Sequence, residues 1–294
     1  MKGKKITVIG GDKRQKYLIS ALAEAGGYEV FAYGINDDDV TCCNTLMDSL
    51  LNSYAVVLPF PLTPDGVYLN ATCKDCNIRL STLFDLINQS GVKYVFGGAI
   101  KSCTQELARE YGISLIDYGK SEELLLKNAL CTAEGAIEIA MHELPINLHA
   151  SNSVVIGYGR IGRLLSARLK ALGSSVCVVA RRREALALAE CDGFDVCEIN
   201  DIKAPLKCAD VIFNTAPSMI LDGSLLPVLK TDSLVIDLAS SPGGVDFTQA
   251  KKLGINVIWA LSLPGKCSPK SAALIIASVV LEQLKIYDGN EVDI

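Results

Sequence analysis

The sequence is poor in histidine: only His142 and His149 occur in 294 residues. Both lie around the end of one long helix-like segment, where a helix-end or linker role is the plainer reading. Their absence elsewhere counts against an alcohol dehydrogenation built on an imidazole acid/base. Excess positive charge is missing too. The formal net charge is −5 and the pI about 5.2, so the basic surface that draws nucleic acid or anionic membrane is not expected overall. No long apolar run occurs. The longest, AALIIASVVL at 272–281, is well short of the roughly 20 residues needed to span a bilayer. The apolar run in MKGKKITVIGGDK is shorter than a signal-peptide core and is followed by more charge. Metal-type cysteine spacing is also lacking. Of eleven cysteines only Cys73 and Cys76 form a CxxC, with no second CxxC or CxH partner, so CKDCN reads as a polar turn. The others read as small core residues carrying reduced thiols. Together these absences predict a soluble cytoplasmic protein with no metal and no membrane segment.

Half of the residues are hydrophobic, enough for one large core or two modest ones, and the length suggests about two domains. Short β-rich runs alternate with helix-like stretches, which predicts parallel sheets with crossover helices. KITVIG, YEVFAYG, YAVVLPF, VKYVFGG and ISLIDYG come first. The segment SEELLLKNALCTAEGAIEIAMHEL, stopped before Pro145, reads as one long helix, and the alternation then restarts with SVVIG, SSVCVVA, FDVCEI, ADVIFN, SLVIDL and INVIWA.

The two halves echo each other. With Gly10 placed on Gly157, Ile9 falls on Ile156 and Gly26 on Gly173. The turns differ where it matters. Gly157, Gly159 and Gly162 complete a GxGxxG, with Tyr158, Arg160 and Ile161 between them, after a strand and at the start of an apolar helix. That context points to a dinucleotide, its pyrophosphate resting on the helix N-terminus. In the first half the three positions hold Gly10, Asp12 and Gln15, and Asp12 would put a negative charge where a pyrophosphate should lie. The first half is expected to keep the fold and to have lost the dinucleotide.

At the end of the second strand of the nucleotide unit an acidic residue would accept the ribose hydroxyls of NAD. Here Ala180 is followed by Arg181, Arg182 and Arg183. Arg181, helped by Arg182 or Arg183, is predicted to bind the 2′-phosphate of NADP. Three cations at a helix start otherwise oppose the dipole.

The remaining chemistry is expected on loops after strand carboxyl ends, facing a cleft between the halves. Asn214, Thr215, Ala216 and Pro217 in NTAPS are further cofactor candidates. LASSPGGVD supplies Ser240 and Ser241, and Thr132 is a third hydroxyl donor to substrate or nicotinamide. LPGKCSPKSAA combines Lys266 and Lys270 with Gly265 and a helix start at Ser268 and Pro269, a plausible carboxylate site. GGDKRQ adds Asp12, Lys13 and Arg14. A small anion such as a dicarboxylate suits these basic loops. Candidate catalytic residues are Glu134, as a base or else an ordinary helix-surface carboxylate, and the two lysines Lys266 and Lys270.

The segments TAEGAI, VVIGYGRIG, VIFNTAPS, VIDLASSPGGVDF and LPGKCSPKSAA, in that order, resemble the dipicolinate synthase A-subunit family of spore-forming bacteria. The resemblance covers nearly the whole chain and rests most on the last two segments. More distantly the layout is similar to D-2-hydroxyacid dehydrogenases. These likenesses imply two Rossmann-like, doubly wound α/β domains joined by a long helix, with the C-terminal helix returning to the first. Residues 1–125 with 268–294 would form the substrate domain, and 126–267 the NADP domain. They further imply oxidation of dihydrodipicolinate, made from the lysine-pathway aldolase product, to dipicolinate during sporulation in the mother-cell cytoplasm. NADP would be the hydride acceptor, and the flavoprotein-like B-subunit of the synthase the partner. Two other readings stay open: a 2-keto or 2-hydroxy acid oxidoreductase, and a regulatory module that senses NADP without turnover. A homo-oligomer is permitted but not specified.

Overall fold

The alternating apolar runs become two separate parallel sheets in the computed structural model, which describes residues 3–38, 40–73 and 77–289. The second cysteine of the CxxC, Cys76, lies outside the described residues. The chain divides into two compact units, residues 1–127 with 268–294 and residues 128–267.

In the first unit, β1 (Lys4–Ile9), α1 (Arg14–Glu24), β2 (Tyr28–Tyr33), α2 (Leu46–Leu50), β3 (Ala55–Val57), α3 (Leu80–Gln89), β4 (Tyr94–Gly97), α4 (Ser102–Glu110) and β5 (Leu115–Asp117) follow in order. The strands form a five-stranded sheet in the order β2-β1-β3-β4-β5. Period-2 alternation sends successive side chains to opposite faces. Ile6 and Val8 meet Leu18 and Leu22 of α1. Ile9 and Val56 meet Leu80, Leu83, Phe84 and Ile87 of α3. Each such side chain, fully buried, contributes about 1.5–3 kcal/mol. A final helix, α11 (Pro269–Gly289), lies against α1 and places Ala273, Ile276 and Val280 in the same core. The C-terminal helix thus belongs to the first unit, as the resemblance implied.

Helix α5 (Glu122–Glu143) carries the chain into the second unit and ends just before Pro145. There follow β6 (Asn152–Ile156), α6 (Arg160–Ala171), β7 (Ser175–Ala180), α7 (Arg183–Cys191), β8 (Asp195–Glu198), α8 (Lys203–Cys208), β9 (Val211–Asn214), β10 (Leu234–Asp237), α9 (Phe247–Leu253), β11 (Asn256–Trp259) and α10 (Leu263–Cys267). The six strands take the order β11-β10-β9-β6-β7-β8. Counted within the unit this is 6-5-4-1-2-3, the dinucleotide-binding order, with its switch point between β6 and β9. β9 and β10 are buried along their whole length, as expected for central strands covered on both faces. α10 is a difference from the sequence reading, which took LPGKC as open loop. The Gly265 and Lys266 amides donate to the Ser262 carbonyl at 3.1 and 3.2 Å, so neither is free to hold a substrate anion, and Gly265 itself is buried.

The echo between the halves persists at the helix ends, where Gly26 and Gly173 both adopt positive φ, at 74° and 86°. The first strand-to-helix turn, however, is filled by its own chain. Gln15 is 1% exposed and its Oε1 accepts the Asp12 amide at 2.7 Å. The amide group lies so close over Gly11 that a Cβ there would sit 2.1 Å from Gln15 Cδ. Residues 70–72 roof the turn, with Gly11 N donating to Asn70 O at 2.7 Å and Thr72 N to Gly11 O at 3.0 Å. Side chain and backbone thus take the place a pyrophosphate would need.

Arg14 requires a correction. It was expected to offer charge to a substrate, but it is 4% exposed, forks onto Asp12 at 2.9 and 2.8 Å and donates to the Phe60 carbonyl. Asp12 is used up in the same pair, which leaves Lys13 as the exposed charge of GGDKRQ. Burial works to raise the Asp12 pKa, but the hydrogen bonds and charge of Arg14 outweigh it and hold the carboxyl below its ordinary 3.8. A carboxylate so depressed stabilises the fold above the unfolded-state value, and the contribution disappears as pH falls through the folded value. Arg14→Met should therefore cost about 3 kcal/mol in denaturant unfolding at neutral pH, the scale of a broken buried pair discounted for partial exposure. The gap to the wild type should narrow as pH falls through and below 3.8. A gap unchanged across that range would place the stabilisation elsewhere.

Candidate cofactor site

The second turn is built in the opposite way. Gly157 has φ +97°, and a Cβ there would lie 2.4 Å from Thr215 Oγ1. At Gly162 a Cβ would lie 2.0 Å from the Gly157 carbonyl oxygen, so α6 can start in contact with the end of β6 only because this residue has no side chain. At Gly159 nothing comes within 4 Å, which leaves space open directly in front of the helix. Gly159 is also the N-cap of α6 and brings no side-chain hydrogen bond to its amides. An uncapped helix start of this kind, aimed at open space, is suited to an anionic diphosphate.

A cavity of about 450 Å³ opens above this turn. Its walls include Gly157, Tyr158, Gly159, Arg160 and Ile161 from the turn, Ala180, Arg181 and Arg182 from the end of β7, and Thr215, Ala216 and Pro217 after β9. Gly162 and Asn214 do not line it. Three arginines and no carboxylate lie on its wall. Arg181 and Arg182 are both exposed, and Arg181 Nη2 lies 3.4 Å from Ser218 Oγ. Of the two helpers considered for Arg181, Arg182 lines the cavity and Arg183 does not. Ile199 and Ile220 add apolar wall that sequence reasoning missed; Ile199 opens a 3-10 turn directly after β8 and Ile220 lies in the loop after β9, and only the folded sheet brings them to one wall.

Three cofactor candidates have roles other than those expected. Asn214 is fully buried: its Nδ2 donates to Asp237 Oδ1 at 2.8 Å and to Ala216 O at 3.2 Å, and its Oδ1 accepts Ala216 N at 3.2 Å. It shapes the loop and presents nothing to a ligand. The Thr215 hydroxyl donates to the Ile156 carbonyl at 2.9 Å, tying β9 to β6 beneath the glycine turn. Tyr158 is 6% exposed, its ring edge-on to Phe194 and its hydroxyl donating to Asp192 at 2.7 Å. Burial and the Asp192 hydrogen bond both raise the Tyr158 pKa. Of Tyr158, the backbone is what the turn presents.

Glu134 needs a further correction. Its carboxylate is exposed and pairs with Arg168 at 3.4 Å, eight residues beyond Arg160 on α6 and so about 12 Å along the helix from the glycine turn. It lines a shallow groove with Met141, His142 and Leu172 and is not placed to take a proton beside the cofactor. Thr132 Oγ1 donates back to the Asn128 carbonyl at 2.9 Å, an ordinary helix bond. His149 packs over Gly173, where a Cβ would meet its Nδ1 at 2.2 Å, ahead of the start of β6 and thus at the opposite end of the sheet. Ser240 and Ser241 are exposed in the turn after β10, whose Ser241–Pro242 bond is cis. Lys266 and Lys270 are exposed, and the Ser268 carbonyl opens the first turn of α11 by accepting Ala272 N at 3.0 Å.

Comparison with known proteins agrees with this geometry. Residues 5–119 match the family described as the N-terminal domain of the dipicolinate synthase A-subunit, and residues 132–239 match D-isomer specific 2-hydroxyacid dehydrogenase, NAD binding domain. The dipicolinate synthase A-subunit of Bacillus subtilis is 30% identical over 98% of both chains. The chain belongs to the dipicolinate synthase A-subunit family. The crystal structure of the family member from Bacillus halodurans is 28% identical, covers 96% of this chain and 98% of its own, and superposes with a TM-score of 0.86. The Bacillus subtilis structure covers 99% and 98% at 28% identity, with a TM-score of 0.85. This member of the family is thus a nicotinamide-dependent oxidoreductase of two Rossmann-like domains, and membership of an A-subunit family implies a partner for it in the synthase. Among the described residues no helix is long and apolar enough to cross a membrane.

The glycines generate a paired prediction. Gly159→Ala fills the open space where the diphosphate belongs and should cut dinucleotide affinity about tenfold or more with the melting temperature unchanged. Gly162→Ala should lower both affinity and melting temperature, because α6 must move off β6. Titration of reduced-nicotinamide fluorescence alongside thermal unfolding checks this. Equal melting temperatures for the two variants would contradict the packing role of Gly162.

Proposed function

We propose that this chain takes NADP and, with the flavoprotein-like B-subunit of a dipicolinate synthase, oxidises dihydrodipicolinate to dipicolinate in the cytoplasm of a spore-forming mother cell. The observation that carries the reading is a cofactor wall with three arginines and no carboxylate, in a chain matched to the family over nearly its whole length. Arg181 stands where an acid would hold the ribose hydroxyls of NAD, and a guanidinium there favours a 2′-phosphate through charge-assisted bonds.

When bound, the cofactor supplies a hydride acceptor. Aromatisation of the ring releases a hydride equivalent and a proton; a bound nicotinamide would supply the acceptor for the first, and a base or water would take the second. The chain's part is to bind and orient. The α6 N-terminus and the glycine turn hold the diphosphate, Arg181 and Arg182 the 2′-phosphate. Lys266 in the second unit, and Lys13 and Lys270 in the first, are each exposed, and each is a candidate partner for a substrate carboxylate. The Ser240 and Ser241 hydroxyls offer donors at the carboxyl end of β10.

The test is absorbance of reduced nicotinamide with NADP, freshly made lysine-pathway aldolase product and this chain, with and without its flavoprotein-like partner. NADPH formation together with the ultraviolet spectrum of dipicolinate is expected. Nucleotide binding without either product, the partner being present, would favour a sensing module or another acid substrate. Arg181→Asp should weaken NADPH at least about tenfold more than NADH, since it removes a phosphate partner and adds a repelling charge. Equal weakening of both would remove the NADP assignment.

A further inference from the structure

Two loops at the carboxyl end of the second sheet share one buried carboxylate. Asp237, the last residue of β10, is 0% exposed. Its Oδ1 accepts Asn214 Nδ2 at 2.8 Å and the Ala239 amide at 3.1 Å, and its Oδ2 accepts the Gly244 amide at 2.8 Å. Every partner is a neutral nitrogen donor. The carboxylate does not line the cofactor cavity, yet both segments around it are tied to it, directly or through Asn214 and Gly244. The first runs from Thr215 to Ile220 and supplies Thr215, Ala216, Pro217 and Ile220 to the cofactor wall. At its start Asn214, held by Asp237, brackets Ala216. At its end the Ile220 and Leu221 amides both donate to the Gly244 carbonyl at 3.0 Å. The second segment, Ala239–Gly244, has its first and last amides on the two oxygens of Asp237. A side chain at Gly244 would meet Asn214 Nδ2 at 2.1 Å, so the three groups are packed without slack.

We propose that Asp237 is a positioning residue for the nicotinamide half of the cofactor site, acting through Asn214 and Gly244. The strand order supplies the location. A dinucleotide lies across the switch point between β6 and β9, and Arg181 at the end of β7 marks the adenosine side. The nicotinamide half therefore falls on the β9 and β10 side, where these two loops are. Sites work when their loops are held within a fraction of an ångström by groups behind them. A buried carboxylate with four lone-pair directions can hold several backbone amides at once, which an apolar residue cannot. The contact between this region and the adenosine side, Arg181 to Ser218, is long at 3.4 Å, so anchoring at Arg181 rests mainly on β7.

Asp237→Asn keeps the shape but puts an N–H donor against one of the amide or amido donors. The experiment compares two ligands on the full chain. One is the reduced dinucleotide that the wild type binds more tightly, NADPH or NADH. The other is the matching adenine fragment, adenosine 2′,5′-bisphosphate or AMP. The proposal thus does not depend on the NADP assignment, which the wild-type preference tests separately. Asp237→Asn is expected to weaken the dinucleotide about tenfold or more while the fragment changes by about threefold or less. Fragment binding also reports that the variant is folded. Asn214→Ala, which leaves the two backbone bonds of Asp237 in place, should show the same selectivity to a smaller degree and serves if Asp237→Asn does not fold. Equal weakening of both ligands would make the carboxylate a general structural group, and wild-type dinucleotide affinity would likewise overturn the proposal.

Discussion

The site depends on one close approach, that of α6 to the end of β6. Helix dipole, amide donors and open volume are useful to a diphosphate only if the helix starts within contact distance of the strand. That distance is set by Gly162 against the Gly157 carbonyl, where a Cβ would be 2.0 Å away. The first unit shows the alternative at its own β1-to-α1 turn. There Gln15 replaces the third glycine, its amide caps the turn, and residues 70–72 close over it. The two strand-to-helix units thus differ: one leaves its helix start uncapped and facing open space, and the other satisfies its own amides internally.

Charge follows the same division. In the first turn Asp12 and Arg14 neutralise each other, the arginine buried and the carboxylate partly so. On the second, Arg181 and Arg182 are exposed on the wall of a cavity that no acidic residue lines. An acidic chain of net charge −5 therefore keeps a local basic site, which is how such a protein can hold an anionic cofactor without attracting polyanions in general.

Much of this was legible in the sequence because it depends on local rules. Alternating apolar runs gave the two parallel sheets, the three glycines located the turn, and arginine in place of an acid after β7 marked its charge. Most of the exceptions depend on partners that only the folded chain brings together. Arg14 reads as a free cation until Asp12 and the Phe60 carbonyl are seen beside it. Glu134 reads as a base at a domain junction until Arg168 is found at the far end of α6. Asn214 reads as a loop residue open to ligand until Asp237 claims it from the neighbouring strand. Asp237 is not among the sequence candidates, because its donors are Asn214 at the end of the neighbouring strand and the Ala239 and Gly244 amides, an arrangement that only the folded sheet sets. Short elements such as α10 were missed because five residues carry too little periodicity to announce a helix.

The most direct test of the account is amide hydrogen exchange on the full chain with and without saturating NADPH. Protection is expected at the amides of residues 157–163, with smaller effects at 181–182 and 215–221, and no ligand-dependent change at 10–15. Protection at 10–15 without protection at 157–163 would contradict the assignment of the dinucleotide to the second turn.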